Sequence, residues 1–94
     1  MNENLINKAL ASMCENPFWK EYYETAPTCF CKRYIKLKFY YSDCLVDVSD
    51  YEEYKKECLL LESKFVKEDW SHLYKYCGNN PRKVYYRNKM NECD

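Results

Sequence analysis

The chain has 94 residues, of which 47% are hydrophobic and 32% charged, and its formal net charge at pH 7 is zero. This length and composition predict a single globular domain over residues 1–94 and exclude an intrinsically disordered chain. The zero net charge excludes a global attraction to nucleic acid or to anionic lipid, and no apolar run approaches the roughly 18 residues that a membrane helix needs.

Two helices are predicted in the first 26 residues. The first covers 3–14, where the residues at helical spacing on one apolar stripe are Leu5, Ile6, Ala9, Leu10 and Met13. The second covers 17–26 (PFWKEYYETA). Asn16 is its expected N-cap, and Pro17 takes the first helical position, where a missing N–H leaves no hydrogen bond unmade.

The stretch 31–42 (CKRYIKLKFYYS) has two interpretations. As a helix entered from a Thr28 N-cap, it has an aromatic and aliphatic face opposite a basic face, and Lys38 is the one misfit on the apolar side. As a strand, it alternates without a misfit and could pair with 44–48. We favour the helix because the intervening Ser-Asp dipeptide is a poor hairpin turn and the other segments are helical. The alternative fold is α+β with a hairpin near 34–48.

Residues 51–77 contain two apolar series at helical spacing. The first is Tyr51, Tyr54, Cys58, Leu61 and Phe65, and the second is Val66, Trp70, Leu73 and Cys77. The two series differ by one residue, which corresponds to about 100° of helical rotation and predicts a bend near 63–67. Asp50 and Glu53 have the spacing of a capping box at the start, and Gly78 predicts the helix end.

Asn80 and Pro81 predict the start of the last helix, over 81–92. Together these signals predict an all-α fold of about five short helices in one compact bundle. The residues expected to be largely buried are Phe18, Trp19, Ile35, Leu37, Leu61, Phe65, Trp70, Leu73 and Val84.

Charge is distributed unevenly along the chain. Residues 29–41 carry +4 with no acid, 42–57 carry −4, and 80–94 carry +2. One interpretation is a basic surface that holds phosphates, with candidate nucleic-acid or partner contacts at Lys32, Arg33, Lys36, Arg82, Lys83 and Arg87. The other is that the basic and acidic segments face and neutralise each other across a helix hairpin, which the zero net charge favours.

Residues 68–90 have the outline of a helix-turn-helix unit around Gly78. A DNA-reading unit needs a small residue four before the Gly and an apolar residue directly after it, but these positions hold Tyr74 and Asn79. The later inward position holds Arg87, and only Val84 fits the pattern. We therefore interpret this segment as an ordinary αα-hairpin.

Catalytic and metal-binding patterns are missing. The single histidine, His72, shares a helix face with Glu68 and Asp69, a pattern more typical of a solvent-exposed contact than of a catalytic pair. No phosphate-binding glycine loop or G-x-S-x-G motif is present. We predict a protein that is not an enzyme and that has no catalytic residue, cofactor or metal.

The seven cysteines lie at positions 14, 29, 31, 44, 58, 77 and 93. Residues 1–13 contain no apolar h-region, so we expect no signal peptide and a cytoplasmic location, where thiols stay reduced. Cys29 and Cys31 do not have the C-x₂-C spacing of a zinc site. We therefore predict unbridged, metal-free thiols.

Aromatic residues make up 18% of the chain, more than so small a core needs. Exposed Tyr and Trp side chains are typical anchors of protein interfaces. We expect a non-enzymatic module that binds another protein or itself, without membrane association. The alternative is a nucleic-acid-binding protein that uses the basic helices 29–41 and 81–92.

The phrases NPFWKEYYETAPT, CKRYIKLKFYYS, EDW and YKYCGNNPRK cover much of the chain. In these phrases the sequence resembles small uncharacterised helical proteins carried by mobile elements of A+T-rich Gram-positive bacteria. The resemblance implies an all-helical cytosolic accessory protein, and it implies no catalytic residue.

Overall fold

A computed structural model describes residues 3–43, 51–78 and 80–93, with the side chains of residues 42 and 43 excepted. The described residues form six helices and contain no β-strand. These are α1 (Glu3–Cys14), α2 (Pro17–Glu24), α3 (Cys29–Asp43), α4 (Tyr51–Ser63), α5 (Lys67–Tyr76) and α6 (Arg82–Glu92). The all-α prediction is confirmed, with six helices in place of about five.

The α+β alternative is wrong in the part that the structure describes. Residues 34–43 belong to α3, so the first strand of the expected hairpin is helical. Its second strand, 44–48, and the Asp50 cap lie outside the described residues. The helix is favoured because it buries Tyr34, Leu37 and Tyr40 together, a spacing that a strand would divide between two faces.

The predicted helix boundaries follow from side-chain caps. Asn16 Oδ1 accepts from the Phe18 N–H at 3.0 Å, and Thr28 Oγ1 accepts from the Cys31 N–H at 3.2 Å. Asn80 Oδ1 accepts from the Arg82 N–H at 2.8 Å. Each contact satisfies an amide that has no partner within its own helix. The predicted caps at Asn16 and Thr28 are confirmed, whereas α6 begins one residue later than predicted, at Arg82, with Pro81 in the N-cap position.

The bend between α4 and α5 is also confirmed. Residues 64–66 are not helical, so the two apolar series lie on separate helices. After α5 the chain reverses at Gly78, which has φ +59°, a conformation that glycine adopts without a side-chain clash. This turn lets α6 pack against α5 as an αα-hairpin, as the sequence predicts.

Helix α3 is the centre of the fold, because it packs against α1, α2 and α4. Four of its residues have no exposed surface, namely Cys31, Tyr34, Ile35 and Leu37. The radius of gyration is 13.0 Å, close to the value of about 13 Å expected for a compact domain of 100 residues.

The predicted core is correct at five of its nine positions, where Ile35, Leu37, Leu61, Trp70 and Leu73 are buried. Trp19 and Phe65 are half-buried at its edge. Phe18 and Val84 are 49% and 54% exposed, so their predicted burial is wrong. In α6 the buried position belongs to Tyr86, which leaves Val84, two residues earlier, on the outer side of the helix.

Candidate functional site

The six candidate cations lie on two helices, Lys32, Arg33 and Lys36 on α3 and Arg82, Lys83 and Arg87 on α6. The Arg33 side chain is half-buried at the edge of the bundle. Its guanidinium pairs with Glu3 of α1 and donates from Nε to Glu57 Oε1 of α4 at 2.8 Å. These carboxylates raise the pKa of Arg33. Arg33 therefore joins three helices, and Glu57 belongs to the acidic segment that the sequence pairs with α3.

Lys38, the misfit of the sequence pattern, is partly buried beside α4. Its Nζ lies 5.0 Å from the centroid of the Tyr34 ring and 5.3 Å from that of Tyr54. Cation–π contacts of this kind offset part of the cost of removing an ammonium from water. Burial still lowers the pKa of Lys38. The helix thus accommodates the cation between two aromatic faces.

Arg82 and Glu62 form a polar network between α6, α4 and α3. Arg82 donates from Nε to the Tyr86 hydroxyl and from Nη2 to the Tyr34 hydroxyl, both at 3.3 Å. The Tyr34 hydroxyl in turn donates to Glu62 Oε2 at 3.3 Å, and the Tyr85 hydroxyl donates to Glu62 Oε1. Burial, more than its contact with Glu62, raises the pKa of Tyr85 to about 12. Arg82 Nη2 is 4.0 Å from Glu62 Oε2, so the Glu62 carboxylate accepts two hydrogen bonds from tyrosines and has a guanidinium beside it.

A groove runs between α4 and α6, which make no extensive backbone contact in the described part of the chain. It consists of two hollows of about 250 and 220 Å³ that share Leu59, Glu62 and Tyr85 in their walls. We call this surface the α4–α6 groove. Leu59 is 61% exposed, which is the largest value among the exposed large apolar side chains of the described residues.

The rim of the α4–α6 groove is basic. Lys55 and Arg82 line the first hollow, and Lys89 lines the second. Among the described residues, Glu62 is the one carboxylate in either wall, and it is engaged by Tyr34 and Tyr85. The Lys55 ammonium lies 5.7 Å from the Tyr51 ring, and Lys89 lies 3.6 Å from Glu92 Oε2. The groove therefore combines an apolar wall at Leu59 with cations that line both hollows.

Sequence reasoning missed the groove, because its candidate list contained only Arg82 among the groove residues. One signal was present in the run Leu59-Leu60-Leu61. A helix at the edge of a bundle buries a stripe, not three consecutive positions, so two of the three leucines must stay exposed. Leu61 is buried, whereas Leu59 and Leu60 are 61% and 58% exposed.

His72 and Asp69 are structural groups, and the interpretation of His72 as solvent-exposed is wrong. His72 Nε2 lies 2.7 Å from the Tyr22 carbonyl of α2, and its ring stacks on the Tyr22 ring at 5.3 Å. Asp69 has no exposed surface and accepts from the Val66 N–H and the Thr28 hydroxyl, both at 3.0 Å. The second contact ties α5 to the start of α3.

We predict that His72→Gln flattens the pH dependence of stability. Burial lowers the pKa of His72 below its ordinary value of 6.5, although the Tyr22 carbonyl and Asp69 oppose this. Below that pH the unfolded chain binds a proton that the folded chain resists, so stability falls as the pH falls. Gln keeps a donor for the carbonyl and does not titrate. Urea unfolding between about pH 5 and 7.5 should show a slope in the wild type only. Equal slopes would contradict this account.

The described cysteines, at positions 14, 29, 31, 58, 77 and 93, are free thiols. Burial raises the pKa of Cys31 to about 12 and also raises that of Cys58, so neither is an activated nucleophile. Within the described ranges, no three His, Cys, Asp or Glu side chains converge as a metal site would require. The absence of bound metal in the cell stays a prediction, which native mass measurement with and without chelator would check.

None of the six helices, in the part of the chain that the structure describes, has the length and apolar character needed to cross a bilayer. Comparison with protein-family models, with curated proteins and with solved structures finds no match to this chain.

Proposed function

We infer that this chain is a non-enzymatic interaction module that binds an acidic amphipathic helix of a partner protein in the α4–α6 groove. The single observation that carries the proposal is the open groove with Leu59 61% exposed beside it. A partner that covered Leu59 would remove this side chain from water, and burying a leucine contributes about 1.5–3 kcal/mol.

The shape of the groove supports a helical occupant. α4 has 13 residues, a length of about 20 Å at 1.5 Å per residue, which offers room for three to four turns of a second helix. An amphipathic helix places apolar side chains at i, i+3, i+4 and i+7 into such a groove. Leu59 and the Tyr85 ring are the apolar groups that those side chains would meet.

The charges of the groove support an acidic occupant. Lys55 and Arg82 line the first hollow, and Lys89, which Glu92 partly neutralises, lines the second. Glu62 is already engaged by Tyr34 and Tyr85. Charges of one sign around an apolar contact orient the partner and raise the association rate, although they add little affinity by themselves. A basic or neutral helix would not gain this steering.

The geometry favours a protein partner over nucleic acid. Nucleic-acid binding needs cations that are free to reach phosphates along one surface. Arg33 is engaged by Glu3 of α1 and Glu57 of α4, so its guanidinium is not free to reach a phosphate. Lys83 and Arg87 are exposed on α6, so the nucleic-acid alternative would depend mainly on that helix.

The resemblance in sequence phrases suggests a setting for this function. An accessory protein of a mobile element would use such a groove to bind a host factor or a component of the element's own machinery. Both classes of partner can present an acidic amphipathic helix.

The proposal is tested with a displayed library of random 16-residue peptides. We predict that binders to the wild type carry Asp or Glu beside apolar residues at i, i+3 and i+4. Leu59→Asp should weaken them at least about tenfold, because it removes an apolar contact and repels the acids. Leu60→Asp is the matched control, since Leu60 is equally exposed on the same helix but does not line the groove. Enriched peptides without acids, or equal losses in both variants, would refute the proposal.

A further inference from the structure

A cavity beside the α4–α6 groove shares Lys38 and Arg82 with its first hollow. It has a volume of about 500 Å³, within the range of about 300–1,000 Å³ that small-molecule sites occupy. α2 supplies Phe18, Trp19 and Tyr22, the end of α5 supplies Tyr76, and α6 supplies Tyr86. We call it the aromatic cavity. Lys38 and Arg82 line both this cavity and the first hollow of the groove, so they form the partition between them.

The aromatic walls are arranged as flat faces and edges. Tyr22 and Tyr76 stack with ring centroids 5.0 Å apart and an interplanar angle of 26°. Phe18 stands edge-on to Tyr76 at 5.8 Å and to Trp19 at 6.1 Å. Phe18 is also 49% exposed, so it stands at the mouth of the cavity. Rings at these spacings and angles suit offset or edge-to-face contact with a further planar ring.

The charge of the cavity wall is positive. Among the described residues that line it, Lys38 and Arg82 are charged and no carboxylate is present. The hydrogen bonds described for Arg82 use Nε and Nη2, whereas a guanidinium carries five N–H donors. Lys38 contacts aromatic faces, which supply no lone pair for its ammonium donors. Burial lowers the pKa of Lys38, and an anion beside it would reverse that effect.

From the cavity volume, the stacked rings and the two cations, we propose that the aromatic cavity binds a small planar aromatic anion. The ring of the ligand lies against Phe18 and Tyr76, and its carboxylate or phosphate points at Lys38 and Arg82. This site shares Lys38 and Arg82 with the proposed partner groove, but its aromatic wall and its test do not involve Leu59, so either proposal can be wrong while the other holds.

The test uses 2-naphthoate as the probe and its neutral isostere, 2-naphthamide, in calorimetry and in ¹⁵N amide-shift titrations. We expect the wild type to bind naphthoate about tenfold more tightly than the amide, since a hydrogen bond to a charged group is stronger than one between neutral groups. Shifts should centre on Phe18, Trp19, Tyr76 and Gly78. Lys38→Met should remove the preference for the anion, and Lys83→Met, a cation of α6 outside the cavity wall, should keep it.

Phe18→Ala provides a second variant, since Phe18 is half-exposed and its loss should not prevent folding. It should weaken both probes by a similar factor, because it removes ring contact and leaves the cations in place. Equal affinity of the wild type for the two probes, shifts centred away from the cavity, or no binding at millimolar concentration would each overturn the proposal.

Discussion

Replacing Asp69 with Ala should lower the free energy of unfolding by about 3 kcal/mol, one of the largest effects expected of any polar substitution in this chain. Asp69 is fully buried and accepts from the Val66 N–H and the Thr28 hydroxyl. Ala would leave both donors without an acceptor in a partly buried site, and α5 would lose the carboxylate that accepts from the Val66 amide just before its first residue. Thermal unfolding monitored by circular dichroism should show the midpoint reduced by at least roughly 10 °C.

Two variants isolate the Asp69 contact with α3. Glu68→Ala changes the adjacent, exposed carboxylate and should alter stability by less than about 0.5 kcal/mol. Thr28→Val removes the hydroxyl that donates to Asp69, and the double variant should cost less than the sum of the two single variants. Fully additive losses would mean that Thr28 and Asp69 do not interact, and α5 would then not be anchored to the start of α3 in this way.

Leu37→Ala should cost about 2–5 kcal/mol, because it opens a cavity at the centre of α3 where no surface is exposed. Leu60→Ala is the matched substitution on α4, at a side chain that is 58% exposed, and it should cost less than about 0.5 kcal/mol. Chemical denaturation of the two variants gives both values. Similar losses at the two positions would contradict the placement of α3 as the central helix.

The helices were predictable from sequence because their signals are local. Asn16, Thr28 and Asn80 cap the amides two or three residues ahead of them, and Gly78 ends a helix through its own backbone angle. Each of these contacts depends on neighbours in the chain and hardly on the tertiary fold. The ends of α1 and the bend between α4 and α5 were also predicted correctly, because the helical spacing of apolar residues is a local pattern as well.

The proposed binding surfaces were not predictable, because they depend on which helices stay apart. Phe18 fits an apolar stripe on α2, yet it stands at a cavity mouth, since α5 and α6 supply the Tyr76 and Tyr86 walls opposite it. Lys38 is a misfit on its own helix and finds its place only between the rings of Tyr34 and Tyr54. Glu62 gave no signal at all, because its partners Tyr34 and Tyr85 lie 28 and 23 residues away.

The proposed partner groove is tested most directly by quantitative affinity purification from the native cell with three baits: the wild type, Leu59→Asp and Leu60→Asp. The two variants have the same composition, the same helix and nearly the same exposure, and they differ in whether the changed residue lines the α4–α6 groove. We predict a protein with an acidic amphipathic helix that is recovered with the wild type and with Leu60→Asp and is lost with Leu59→Asp. Equal recovery with all three baits would contradict the assignment of the groove as the partner site.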